Sequence, residues 1–173
     1  MIDLSAFVWF LAAFFGLIGY LRGWDRELVV TAAIVLTSFM LMQFDALLRT
    51  IVPGMSSGQM FFIQVAIFFA IVFIVYNARN LAVSIEGRNI QSGILGIVVG
   101  AINGYLIGGA LWYFLDINQY PLKQFILAPT LGSPSIEAVN WIPLVVMSGG
   151  ASGTGDVMSY VVLILLFFVL GSI

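Results

Sequence analysis

Four glycines at strict four-residue spacing inside an apolar stretch constrain this chain more than any other feature. The stretch covers residues 93–109, and the repeat consists of Gly96, Gly100, Gly104 and Gly108. Residues four apart share one face of an α-helix, so these glycines form a smooth groove. In water each glycine would cost the helix about 1 kcal/mol, whereas in lipid small residues let another helix approach closely. The repeat predicts a membrane helix with a glycine-zipper face that packs against a helix of its own chain or of a partner.

The composition of the chain indicates a polytopic membrane protein. Of its 173 residues, 62% are hydrophobic and 8% are charged, whereas soluble domains carry about 25% charged residues. The chain has no cysteine and no histidine, which excludes disulfides, removes the commonest metal ligands and removes the commonest acid–base catalyst. We therefore expect a non-enzymatic protein with no cofactor. Its expected partners are membrane lipids and other transmembrane subunits or further copies of itself, and not nucleic acid, since the net charge is only −2.

Five stretches approach the length of about 17–25 apolar residues that a membrane span requires. They cover approximately residues 4–21, 28–46, 59–78, 93–115 and 157–173. The first lacks the positively charged start and the cleavage site of a signal peptide, so we expect it to remain as a span. The predicted fold is an all-α membrane bundle of about five helices. Residues 1–115 form a four-helix domain, residues 116–156 an extracytoplasmic loop rich in proline and glycine, and residues 157–173 a C-terminal transmembrane helix.

The distribution of basic residues predicts the orientation of the spans. Cytoplasmic loops of membrane proteins carry an excess of lysine and arginine. The first and third connections contain Arg22, Arg26, Arg79 and Arg88, whereas the second and fourth contain Arg49 and Lys123. This distribution predicts an external N-terminus and a cytoplasmic C-terminus.

The densest charge lies in the predicted cytoplasmic turn between the first two spans. The turn contains Arg22, Gly23, Asp25, Arg26 and Glu27. One interpretation is that it binds an anionic lipid headgroup or a cytosolic partner. The favoured interpretation is structural: the arginines reach the membrane interface, and the two carboxylates stabilise the positive end of the second helix.

Polar residues inside the spans are the remaining candidates for a site. Asn103 lies near the middle of the fourth span, where it predicts either a hydrogen bond across the helix contact or a contact with a substrate or ion. Gln64 in the third span is its expected partner. Asp45 and Arg49 lie one turn apart, which predicts an ion pair, with a proton site as the alternative. We expect no ionisable residue at the centre of a span, and this counts against an ion-coupled transporter.

Two segments of the chain resemble the colicin V production protein (CvpA) family. Asp3 with residues 19–28, read as GYLRGWDREL, is similar to the family pattern D…GYRRGFxREL, and residues 93–104, read as GILGIVVGAING, are similar to its DRxLGxxxGxxRG segment. The chain departs from the second pattern at Gln91, Ser92 and Asn103. The resemblance covers roughly residues 1–120. It implies a small inner-membrane protein linked to colicin V production or export and to envelope upkeep, with no catalytic residue to carry over.

Two functional hypotheses follow from these observations. The leading one is a non-catalytic scaffold or accessory subunit of a larger bacterial membrane complex, in which the glycine face of the fourth helix contacts another helix. The alternative is a small export-related transporter or pore, in which Asn103, Gln64 and the glycine groove line a path.

Overall fold

The computed structural model describes residues 4–78, 90–126, 128–130, 134–147 and 159–164, and all regular structure in these ranges is helical. In chain order, the helices are α1 (Leu4–Arg22), α2 (Trp24–Gln43), α3 (Asp45–Ile51), α4 (Ser57–Asn77), α5 (Ile90–Ile117), α6 (Pro134–Ala138), a 3₁₀ turn (Val139–Trp141) and α7 (Pro143–Met147). Residues 159–164 are also helical. By length and composition α1, α4 and α5 are able to cross a membrane, and the bent pair α2–α3 gives a possible fourth span.

The predicted spans agree with the helices to within a few residues, except at the start of the second. That helix begins at Trp24 and not near residue 28. Gly23 has a φ of 91°, a conformation that glycine adopts without steric cost, so the chain reverses within one residue of α1. Of the predicted fifth span, only residues 159–164 lie within the described ranges. Asp3, Arg79 and Arg88 lie outside them.

Local hydrogen bonds cap the N-terminus of α4 and the C-terminus of α5. Before α4, the hydroxyl of Ser56 accepts a hydrogen bond from the Gln59 N–H while the Gln59 side chain binds the Ser56 N–H, the arrangement known as a capping box. After α5, Gln119 and Tyr120 both have positive φ, and the Tyr120 N–H donates to the Leu115 carbonyl at 2.8 Å. This reversal satisfies a carbonyl at the end of the helix and turns Tyr120 back into the structure.

The second span is bent by 54° between α2 and α3. The break lies at Phe44, whose φ and ψ of −94° and 6° depart from helical values. The bend is not caused by proline or glycine. Its consequence is that Asp45, the first residue of α3, contacts α4, as described below.

The longest helix, α5, is the centre of the bundle. It contacts α1 over the most extensive interface and also packs against α2, α4 and α7. Large apolar side chains fill the interior, with Ile34, Phe68, Ala110 and Phe114 completely buried. Burying a large apolar side chain stabilises by about 1.5–3 kcal/mol in water, but in lipid the gain comes from close packing.

Part of the predicted loop packs against the C-terminal part of α5. Ile142 and Leu144 are buried, the side chain of Pro143 lies against Gly109, and the hydroxyl of Tyr105 donates to the Trp141 carbonyl. Burial also raises the pKa of Tyr120 to about 12, although the Trp112 indole donates a hydrogen bond to its hydroxyl. The described residues 134–147 therefore form a folded cover over this end of the bundle.

Candidate functional site

The glycine face of α5 lies against the backbone of α1. A Cβ atom built on Gly96, Gly100 or Gly104 would overlap a backbone carbonyl oxygen of α1, belonging to Gly19, Phe15 and Leu11 respectively. At Gly108 the nearest α1 atom would be the Val8 Cα at 3.2 Å. This is the close backbone approach that small residues permit between membrane helices.

The helix that contacts the glycine face therefore belongs to the same chain. All four glycines of the repeat are buried against α1. On the α1 side, Gly19 is in reciprocal contact with Gly96 and Gly100. The face predicted from the sequence is thus occupied by α1 and is not open to a helix of a partner.

A second feature is a group of polar side chains buried where α1, α2, α4 and α5 meet. We call it the Glu27 cluster, and it comprises Arg22, Glu27, Thr31, Tyr76 and Asn103. Glu27 Oε2 accepts hydrogen bonds from Asn103 Nδ2 at 2.8 Å and from the Tyr76 hydroxyl at 3.1 Å. Asn103 Nδ2 also donates to the backbone oxygen of Glu27 at 3.0 Å. The Thr31 hydroxyl lies 2.6 Å from Asn103 Oδ1 and 2.9 Å from the same Glu27 backbone oxygen.

Arg22 closes the cluster on the side of the α1–α2 turn. Its Nη1 lies 3.3 Å from Glu27 Oε1, and its side chain is 20% exposed whereas that of Glu27 is 0% exposed. Arg22 Nη2 donates to the backbone oxygen of Tyr76 at 3.2 Å, and its guanidinium lies 4.4 Å from the centre of the Tyr76 ring. One arginine thus joins the end of α1 to the last turn of α4 and to the first turn of α2.

The geometry differs from the expectations drawn from the sequence at Glu27, Arg22 and Asn103. Glu27 does lie in the first turn of α2, but its carboxylate points into the bundle and bonds Asn103 near the middle of α5. The bundle therefore does contain a buried ionisable group, which the sequence argument against transport did not foresee. Arg22 turns inward and pairs with Glu27, while Arg26 is exposed. The partner of Asn103 is Glu27 with Thr31, and not Gln64.

Gln64 belongs instead to a second group, the Asp45 ring, which comprises Asp45, Arg49, Gln64 and Asn118. Gln64 Nε2 donates to Asp45 Oδ1 at 2.8 Å, and Asn118 Nδ2 donates to Gln64 Oε1 at 2.7 Å. Arg49 completes the ring, since its Nη2 donates to Asn118 Oδ1 at 3.0 Å and its Nε to Asp45 Oδ2 at 2.9 Å. Asp45 and Arg49 thus form the ion pair that their spacing predicts. The ring connects α3, α4 and the end of α5.

Because Gln64 and Asn118 are completely buried, the ring is expected to be sensitive to the loss of one member. Replacing Gln64 by leucine removes the acceptor of the Asn118 Nδ2 group and the donor to Asp45 Oδ1. Each unsatisfied buried group costs about 1–3 kcal/mol, so we expect Gln64→Leu to lower the free energy of unfolding by about 3 kcal/mol. Unfolding by SDS in mixed micelles measures this. The matched change Gln43→Leu, at an exposed position of α2, should alter it by less than about 0.5 kcal/mol, and equal effects of the two changes would contradict the importance of the ring.

The third feature is an open groove between α1 and α5 on the outer surface of the bundle. We call it the α1–α5 groove; its volume is about 500 Å³ and it is lined by Trp9, Ala12, Ala13, Gly16, Leu17, Tyr20, Ile97 and Ala101. Small side chains form much of the lining, and Trp9 and Leu17 are strongly exposed. Along α1 the lining runs from Trp9 to Tyr20, which corresponds to about 16 Å, or about three helical turns.

Two smaller cavities of about 180 and 190 Å³ lie near the start of α1, and both are lined mainly by apolar side chains. The first lies between α1, α5 and the 134–147 segment and includes Trp9, Trp112 and Trp141. Among the described residues there is no group of acidic side chains arranged to hold a metal ion.

Several residues of the two polar groups were not singled out by the sequence. Thr31 lies one helical turn after Glu27, a spacing that could have indicated a shared face. Tyr76 and Asn118 lie at helix ends, where polar residues are ordinary, so only the packing of α4 against α2 and α5 shows their role.

Taken together, the described residues form an all-helical bundle with three or four membrane-length helices, in which glycines of α5 contact the backbone of α1 and two hydrogen-bonded polar groups join the helices. Comparison of the chain with protein-family models, curated proteins and solved structures finds no match.

Proposed function

We propose that this chain is a non-catalytic membrane scaffold or accessory subunit of a larger bacterial membrane complex, and that a helix of a partner subunit packs in the α1–α5 groove. The observation that carries the proposal is the groove itself. Its floor contains Ala12, Ala13 and Gly16 of α1 and Ala101 of α5. A floor of small side chains lets a partner helix approach closely in lipid, where close packing drives helix association.

The alternative of a transporter or pore receives less support from the geometry. A path lined by Asn103, Gln64 and the glycine groove would need all three to share one cavity. Asn103 and Gln64 instead belong to separate hydrogen-bonded groups, and the glycine face is filled by α1. Asn103 and Gln64 are thus engaged with other side chains of the bundle, whereas the groove offers an apolar surface to another membrane helix.

The location and the topology of the scaffold are part of the proposal. The resemblance to the CvpA family over roughly residues 1–120 favours the bacterial cytoplasmic membrane. The arginine distribution favours an external N-terminus and a cytoplasmic C-terminus, with residues 157–173 as a fifth span. In this arrangement the glycine-zipper contact between α1 and α5 is the rigid part, and the α1–α5 groove is the part that recognises a partner.

Site-specific photocrosslinking in the native membrane tests the proposal. A photoreactive amino acid replaces Ala13, which is exposed in the groove, and the matched control replaces Ala70, which is exposed on α4. We expect a single discrete protein adduct from position 13 and none from position 70, because a partner helix covers only the groove. Mass spectrometry of the adduct identifies the partner and distinguishes another subunit from a second copy of this chain.

Adducts of the same kind from both positions, or only lipid adducts from position 13, would contradict the proposal. If the groove faces lipid alone, flux assays on the reconstituted protein become the relevant test of the pore alternative.

A further inference from the structure

The carboxylate of Glu27 is bonded unequally at its two oxygens. Oε2 accepts two well-formed hydrogen bonds, from Asn103 and from Tyr76. Oε1 faces Arg22 Nη1 at 3.3 Å, but the geometry of this contact is not that of a hydrogen bond, and both atoms lack another partner. A proton can therefore be added at Oε1 without displacing either donor from Oε2.

The groups that face Glu27 set the electrostatic surroundings of its carboxylate. From α1 it is faced by the Arg22 guanidinium, from α4 by the Tyr76 hydroxyl, and from α5 by the Asn103 amide, which does not titrate. Within α2, the Thr31 hydroxyl is nearby and neutral. Arg22 is thus the one positive charge among these facing groups, and the buried pair is neutral overall when Glu27 is ionised.

We propose that Glu27 is a proton-binding site and that its protonation releases Arg22 from the end of α4. A protonated Glu27 leaves Arg22 as an uncompensated charge in a largely buried position, which is costly. Arg22 is partly exposed and lies beside the α1–α2 turn, so its side chain is able to move toward water. That movement removes the hydrogen bond to the Tyr76 carbonyl and the contact of the guanidinium with the Tyr76 ring.

The proposal adds a regulatory property to the bundle and does not depend on a partner in the α1–α5 groove. The hydrogen bond from Arg22 joins the last turn of α4 to the end of α1, whereas the bond from the Tyr76 hydroxyl to Glu27 joins the same turn of α4 to α2. Loss of the Arg22 bond lets the ends of α1 and α4 move apart, while the Tyr76–Glu27 bond and the glycine contact between α1 and α5 stay in place. The site thus makes the position of the end of α4 dependent on the pH at the face where Arg22 is exposed.

Infrared difference spectroscopy of the purified protein in lipid tests proton binding directly. The pH is lowered from neutral to about 4, the range in which glutamates ordinarily protonate. We expect a band of a protonated carboxylic acid that is present in the wild type and absent in Glu27→Gln. In Tyr76→Phe the charged form of Glu27 loses one hydrogen-bond donor, so the midpoint of this band should rise by about one pH unit or more.

Distance measurements test the release of Arg22. The chain has no cysteine, so spin labels attached at Leu21→Cys and Asn77→Cys, both exposed positions, report only the ends of α1 and α4. At neutral pH we expect one narrow distance distribution, and below the midpoint a second, longer population. Glu27→Gln, which cannot ionise, should show the longer population at every pH. Asp45→Asn, in the Asp45 ring, is the matched control and should leave the pH dependence unchanged.

A Glu27-dependent band whose midpoint rises in Tyr76→Phe, together with the longer population, supports the proposal. It is overturned if the band is unchanged in Glu27→Gln, or if the midpoint in Tyr76→Phe equals that of the wild type. It is also overturned if the distance distribution is the same on both sides of the midpoint. Should Glu27→Gln fail to fold, the midpoint shift in Tyr76→Phe decides the question.

Discussion

Gly104→Ala is expected to lower the free energy of unfolding by about 3 kcal/mol or more. The added Cβ would overlap the Leu11 carbonyl oxygen and lie 2.6 Å from its carbonyl carbon and 2.8 Å from the Ala12 Cα. All three atoms belong to the backbone of α1, so a change of side-chain rotamer cannot relieve the overlap. Overpacking of a well-packed core typically costs about 1–3 kcal/mol, and here the two helices must separate along their whole contact. SDS-induced unfolding, followed by tryptophan fluorescence, gives the difference.

Gly58→Ala is the matched control, because it makes the same chemical change in the first turn of α4. A Cβ there would meet its nearest neighbours, in Pro121 and Ser56, at 3.6 and 3.9 Å, which are ordinary contacts. Alanine is the better helix former by up to about 1 kcal/mol, so this variant should be equally or slightly more stable than the wild type. If Gly104→Ala were as well tolerated as Gly58→Ala, the close contact between α1 and α5 would be wrong.

Arg22→Met is the second substitution with a large expected effect. It removes the positive partner of Glu27 while Glu27 stays completely buried, and breaking a buried ion pair from one side costs about 3–5 kcal/mol. We expect a loss of that size in the free energy of unfolding at neutral pH.

The double variant Arg22→Met/Glu27→Gln separates the cost of an unpaired charge from the cost of lost packing. The glutamine side chain at position 27 carries no charge and keeps an oxygen that accepts from Asn103 and Tyr76, so no buried charge is left without a partner. The double variant should therefore recover most of the stability lost in Arg22→Met. Arg26→Met, at an exposed position of the same turn, should change the stability by less than about 0.5 kcal/mol. A double variant as unstable as Arg22→Met would show that Arg22 acts through packing and not through Glu27.

The membrane-helical character of the chain and the approximate positions of four helices could be predicted from the sequence. Apolar length and turn residues are local properties, and they place α1, α4 and α5 to within a few residues. The spacing of the glycines also indicated which face of α5 is packed, although not which helix packs on it. Which helix packs on this face depends on how closely the backbone of α1 fits against Gly96, Gly100 and Gly104. The spacing of the glycines in the sequence gives no information about that fit.

The polar groups were harder to predict because each joins residues far apart in the chain. Glu27 and Asn103 are 76 residues apart, and Gln64 and Asn118 are 54 residues apart. A buried polar side chain needs a hydrogen-bond partner, but several residues of the chain would satisfy that need equally well. The pairing of Asn103 with Gln64 was therefore a reasonable expectation and a wrong one: the bend at Phe44 brings Asp45 to Gln64.

We propose that a helix of a partner subunit occupies the α1–α5 groove. Native mass analysis of the tagged protein, extracted gently from its own membrane, tests this proposal, with Ala13→Trp and Ala70→Trp compared alongside the wild type. We expect a complex of fixed stoichiometry for the wild type and Ala70→Trp, and its loss in Ala13→Trp, whose bulky side chain fills the groove. Recovery of the wild-type chain alone, or a complex that Ala13→Trp leaves intact, would contradict it.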